Sequence, residues 1–83
     1  MKQTNHDLSI EVKSYTSTMP CRILKLLATE GALVKQGTPL LTMESMKMET
    51  RMYSRHEGKV KYHVTENAVI EAGVVMLEIV QEK

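Results

Sequence analysis

The chain has 83 residues with no tryptophan, no phenylalanine, one cysteine, two prolines and four glycines. With three tyrosines as its only aromatics, its interior has to be filled by Val, Ile, Leu and an unusual share of its seven methionines. The single cysteine, Cys21, rules out an intramolecular disulfide and a cysteine-based zinc site, so packing must hold the fold. No run approaches the roughly 18 apolar residues of a membrane span, and Met1 to Asp7 contains no apolar signal-peptide core. Neither sign of charge dominates. Eleven Lys and Arg against ten Asp and Glu, scattered along the chain, leave no electrostatic footprint for nucleic acid or an anionic membrane. These absences point to a protein of the cytoplasm or the mitochondrial matrix, not a secreted one. His6, His56 and His63 have neither metal-ligand spacing nor a neighbouring nucleophile. His56 and His63 read as loop and strand-surface residues, and no catalytic residue and no metal ligand is assigned.

What is present is an internal repeat. Ser17 to Met43 lies over Ser54 to Ile79 with a shift of 37 residues (Ser17 onto Ser54) that becomes 36 midway (Glu30 onto Glu66). Cys21 then falls on Gly58, Ile23 on Val60, Leu27 on Val64, Ala32 on Ala68, Gly37 on Gly73 and Leu41 on Leu77. Two copies are too few for a solenoid, so they should pack as a pseudo-twofold pair, leaving the unrepeated connector near the axis. Each unit reads as strand, turn, strand. Leu8, Ile10 and Val12 alternate with polar residues, as do Val60, Tyr62 and Val64, and Ile23 to Leu27 is a short buried-strand run. Turn residues at Gly37-Thr38-Pro39 and Ala72-Gly73 should restart strands near Leu40 and Val74. Residues 1–7 are expected to be a flexible segment and 8–83 one domain.

The connector, Leu40 to Arg51, is locally ambiguous. As a helix it would place Leu40, Met43 and Met46 on one face, with Glu44, Lys47 and Arg51 on another. It also has no Gly, Asn or Pro at its centre, which a tight hairpin would normally prefer. The repeat decides otherwise: Thr42-Met43 corresponds to Glu78-Ile79, where Val75, Leu77 and Ile79 alternate as a strand. Two strands joined by a tight turn at Met46-Lys47 follow.

The segment Glu44-Ser45-Met46-Lys47-Met48-Glu49 resembles the attachment motif of the biotinyl/lipoyl family, of the biotin carboxyl carrier type. The resemblance extends from about Ser17 to Val80, through Met19-Pro20, Glu30-Gly31, Gly37 and Glu57-Gly58-Lys59-Val60. It implies an all-β fold, a flattened barrel or sandwich of two four-stranded antiparallel sheets. The modified lysine would sit at a hairpin tip, with the termini together at the opposite end. It implies that a biotin protein ligase joins biotin to the ε-amine of Lys47. The arm would then carry carboxybiotin between a biotin carboxylase and a carboxyltransferase. Glu44 falls at a position implicated in ligase recognition, and Met46 and Met48 should be partly exposed beside the lysine. Nothing local desolvates Lys47 or sets another cation beside it, so the residue suits a substrate better than a Schiff-base catalyst.

Departures from the pattern are Ser45 where Ala is frequent, Cys21 where Gly is common, and Asn67 in place of a turn Gly. Cys21 suggests that the first turn is less tight than the second, whereas Asn67 can adopt positive φ. The segment after Leu27 is too short for the thumb loop of some carriers. Two alternatives share the architecture. A lipoyl domain, of a 2-oxo acid dehydrogenase or the glycine cleavage system, would carry Asp before the lysine and Ala after it, where this chain has Met on both sides. An unmodified docking module would have no use for the lysine.

Overall fold

The computed structural model describes residues 10–82, and among these residues there is no helix. Eight strands run in order: β1 Ile10–Thr16, β2 Cys21–Leu26, β3 Leu33–Val34, β4 Pro39–Ser45, β5 Met48–Tyr53, β6 Gly58–Tyr62, β7 Val69–Ile70 and β8 Val75–Glu82. They form two four-stranded sheets, β1-β8-β6-β3 and β5-β4-β2-β7, with every pairing antiparallel. This is the flattened sandwich that the resemblance implied. Leu8 and the flexible segment expected at residues 1–7 lie outside the described residues.

The repeat is visible in the hydrogen bonds. Ser17 N donates to Val74 O at 3.0 Å and Ser54 N to Thr38 O at 2.8 Å, while Gly73 N and Gly37 N return bonds to Ser17 O and Ser54 O. Ile23 N donates to Ala68 O as Val60 N does to Ala32 O. Glu30 accepts from Tyr62 N at 2.9 Å and Glu66 from Leu26 N at 3.1 Å, so each repeated glutamate satisfies a backbone donor in the other unit. The positive-φ positions also match: Gly31 with Asn67, and Gly37 with Gly73. Each unit contains three strands rather than two, β2 to β4 in the first and β6 to β8 in the second, with β1 and β5 preceding them. The two-residue strands β3 and β7 are too short to leave a periodic signal.

Bulges explain where the repeat slips. In β2–β4 the register passes from Ile23↔Met43 to Lys25↔Thr42, leaving Leu24 unmatched, whereas β6–β8 passes from Val60↔Ile79 to Lys61↔Glu78 without interruption. The shift of 37 therefore becomes 36 at Leu24, where one extra residue stands in the first unit. Leu27 consequently corresponds to His63 rather than Val64: Leu27 N bonds Leu40 O as His63 N bonds Met76 O. A second, symmetric pair of bulges falls at Leu40 and Met76, and both side chains are fully buried.

The core comprises Tyr15, Cys21, Ile23, Val34, Leu40, Leu41, Val60, Met76, Leu77 and Ile79. Methionine fills less of it than composition suggests. Among the described residues only Met76 is fully enclosed, with Met43 and Met52 packed against the core's margin. Tyr15 takes the missing volume, and its hydroxyl bonds Arg55 N and His56 Nδ1, each at 2.8 Å. His56 is thus a loop residue, as read, but half-buried and engaged, while His63 lies just beyond β6 and pairs with Glu78 at 3.0 Å. Tyr62 donates to Leu40 O and accepts from Ala28 N. Burial pushes its phenol above the usual range, Ala28 N–H opposes this, and the Glu30 carboxylate adds to it.

Cys21 and Gly58 each open a strand, so neither is a turn residue. A Cβ on Gly58 would lie 2.5 Å from Val80 O and 2.7 Å from Ile79 Cγ2, so glycine is required by close strand approach. Cys21, its counterpart, is buried with its Sγ 3.6 Å from Ser17 Oγ and 3.8 Å from Met43 Sδ.

Candidate functional site

Strands β4 and β5 form a hairpin in the register Met43↔Thr50, Glu44↔Glu49 and Ser45↔Met48, closed by Met46 and Lys47 alone. Both turn residues have positive φ, 52° at Met46 and 66° at Lys47. Positive φ at both central positions is the type I′ pattern, whose twist matches that of the flanking strands. The local objection to a hairpin, that neither residue is Gly or Asn, is met by strain. Each L-residue in the left-handed region costs about 1 kcal/mol, and the ladder on either side holds them there. Met46→Asn, which accepts this conformation more readily, should therefore raise stability by about 0.5–1 kcal/mol. Thermal unfolding would show this as a gain of roughly 3–6 °C, and a loss would contradict the strain.

This turn places Lys47 at the apex. Its side chain is exposed, and among the described residues no ion pair or hydrogen bond restrains its amine. Met46 is 87% exposed and Met48 69%, so both flanking methionines stand in solvent and neither fills the core. Glu44 lies one pair below the turn, with its carboxylate 3.4 Å from Arg22 Nη2 and Glu49 directly across the ladder. Both partners of that ion pair are about half exposed, so its contribution is within about 1 kcal/mol. Arg22 went unnoticed in the sequence because it becomes a neighbour of Glu44 only through the β2–β4 register.

Ser45 has more to do than a small residue that merely spares the hairpin. Its hydroxyl lies 3.0 Å from Pro20 O and 3.0 Å from Met19 Sδ, clasping the hairpin base to the loop between β1 and β2. An alanine could not make that contact. At the other end of the molecule, Glu11↔Gln81 is the symmetry counterpart of Ser45↔Met48. There the described ends of the chain pair, Ile10 with Glu82, in place of a turn. The arrangement offers an accessible primary amine. Among the described residues no group of three or more His, Cys, Asp or Glu could hold a metal, and no helix is long and apolar enough to cross a membrane.

Comparison with known proteins agrees with this geometry. The family model described as "Biotin-requiring enzyme" matches residues 12–79. The chain is 45% identical over 56 residues to the mitochondrial methylcrotonoyl-CoA carboxylase subunit alpha of Dictyostelium discoideum, covering 64% of this chain and 8% of that protein. It is 40% identical over 62 residues to human mitochondrial pyruvate carboxylase, covering 74% of this chain and 5% of that enzyme. A biotin carboxyl carrier protein of Streptococcus mutans is 36% identical over 62 residues, 74% of this chain and 48% of that protein. The chain thus spans a small part of the large carboxylases and about half of the carrier. With most of its length inside the matched region, the chain belongs to the family of biotin-requiring enzymes, as their attachment domain.

Proposed function

We propose that this chain is a carrier in which Lys47 bears biotin through an amide between the ε-amine and the valeryl carboxylate. The observation that supports this most is the hairpin apex: an unrestrained, exposed lysine on a two-residue turn, between two exposed methionines. Acylation there breaks no contact and leaves the ladder below untouched. Met46 and Met48 give adaptable apolar surface to several partners that must each dock the same tip. Glu44, held only by an exposed pair to Arg22, is available to a biotin protein ligase.

When bound, biotin supplies a ring nitrogen that takes up a carboxyl group and passes it to an acceptor. The chain's own part is mechanical: it holds the attachment point away from the barrel so that the arm reaches a biotin carboxylase and then a carboxyltransferase. No residue of the carrier is assigned a step in either reaction. The lipoyl alternative finds no support in the Met-Lys-Met context or in the relatives, which are carboxylases and a biotin carrier. Co-expression with an active biotin ligase, followed by intact mass measurement, tests the proposal. One biotinyl group is expected, and a lipoyl gain in its cellular host or an unmodified chain would overturn it.

A further inference from the structure

Beside the hairpin, on the flank where the β1 edge of one sheet faces the β5 edge of the other, a cleft of about 400 Å³ enters the sandwich. Met19, Cys21, Met43, Ser45, Thr50 and Met52 line it, with Tyr15 and Met76 among its innermost residues. The volume lies in the range of small-molecule sites. The symmetry-related half is lined differently: its opening is a shallower groove along Leu33, Glu57, Lys59, Gln81 and Glu82, with no methionine or cysteine in it. In the symmetry-related half, Gly58 is packed against Ile79 and Val80, Lys13 pairs with Glu11 at 2.9 Å, and Gln81 Nε2 donates to Glu57 O. Where that half has Gly58 and Ile79, this one has Cys21 and the flexible Met43.

We infer that this cleft is a docking site, on the carrier itself, for the ring system of the biotin carried by Lys47. The inference rests on the biotin reading and adds a resting position to it. Reach favours it. Ser45 stands two residues before the lysine, and at about 3.4 Å per residue the Met43↔Thr50 pair is only some 14 Å from Lys47 along the strand. An extended lysyl side chain with a five-carbon acyl chain covers about 14 Å by ordinary bond lengths. Chemistry favours it as well. Biotin's fused rings present an apolar thioether edge and a neutral urea edge, and the cleft sets thioethers and a thiol beside the hydroxyls of Ser45 and Thr50. The Thr50 hydroxyl can both donate to and accept from a urea, and the Ser45 hydroxyl, which donates to Pro20 O, can accept from it. Strong binding is unnecessary, because a short tether imposes an effective concentration of about millimolar, so even a millimolar intrinsic site is half occupied. A partner then receives the ring only after displacing it from the cleft.

The seven methionines provide the test. In protein labelled with carbon-13 at the methionine methyl groups, biotinylation confirmed by mass should move the signals of Met19, Met43 and Met52. Movement of Met46 and Met48 is expected from their position alone. Thr50 is exposed on the edge strand β5, so Thr50→Trp covers the mouth in a setting that favours an aromatic side chain. In that variant biotinylation should leave Met19, Met43 and Met52 unmoved. Shifts confined to Met46 and Met48, or shifts that persist beneath the tryptophan, would overturn docking while leaving the carrier function standing. Absence of any biotinyl mass gain would remove the carrier reading and this one with it.

Discussion

Lys47→Arg is expected to reduce ligase-dependent biotinylation to background while leaving the fold intact. Amide formation needs the lone pair of a primary amine, and a guanidinium holds its proton about three pH units further than an amine does, with its lone pairs delocalised. Charge and length are nearly conserved, so a ligase that reads only the surface of the hairpin would still dock. The φ of 66° is no worse for arginine than for lysine, and the side chain makes no contact that the substitution could break. Thermal midpoints of the two proteins should agree within about 1 °C, because exposed substitutions away from special features are nearly neutral. Streptavidin blotting after co-expression with ligase is the measurement, with Lys59→Arg on the exposed face of β6 as a control that should label fully. Residual label in Lys47→Arg, mapped to another lysine, would place the attachment site elsewhere.

The hairpin that carries Lys47 was legible because the repeat made it so. Superposing the halves leaves Met46-Lys47 between two strands, and the structure puts the hairpin turn there. The glutamates at 30 and 66, identical in both copies, turn out to cap backbone donors across the two units. What stayed hidden depended on departures from alternation. Leu40-Leu41 and Met76-Leu77 are adjacent apolar pairs in which both members are buried. A flat strand would send one of each pair to solvent, and only the bulges at Leu40 and Met76 turn both inward. The cleft beside the hairpin was invisible for a related reason. It is made by residues from β1, the following loop, β4 and β5, and by an asymmetry between Cys21 and Gly58 that reads in sequence as one substitution in a turn. Composition alone overstated the share of methionine in the core, whereas the exposure expected of Met46 and Met48 followed from their place beside the turn.

That asymmetry sets the second large effect, Gly58→Ala, which should destabilise the domain by about 3 kcal/mol. The new methyl would sit 2.5 Å from Val80 O and 2.7 Å from Ile79 Cγ2. The first obstacle is backbone in a paired strand and the second a β-branched side chain in the core, so neither can step aside as the end of a flexible chain would. Relief requires β6 and β8 to separate near Lys59↔Val80, next to Val60 and Ile79, both buried. Overpacking of this kind typically costs 1–3 kcal/mol, and rigid obstacles place it at the upper end. For a domain of this size the thermal midpoint should fall by roughly 12–20 °C. The counterpart, Cys21→Ala, keeps the Cβ that its site already accommodates and loses only sulfur contacts to Met43 and Ser17, so it should cost about 1 kcal/mol or less. Measured side by side, the two alanine variants compare a strand position with no room for a Cβ with its counterpart that already carries one. A small effect at Gly58 would show that β6 and β8 yield easily, and would remove the reason for a glycine there.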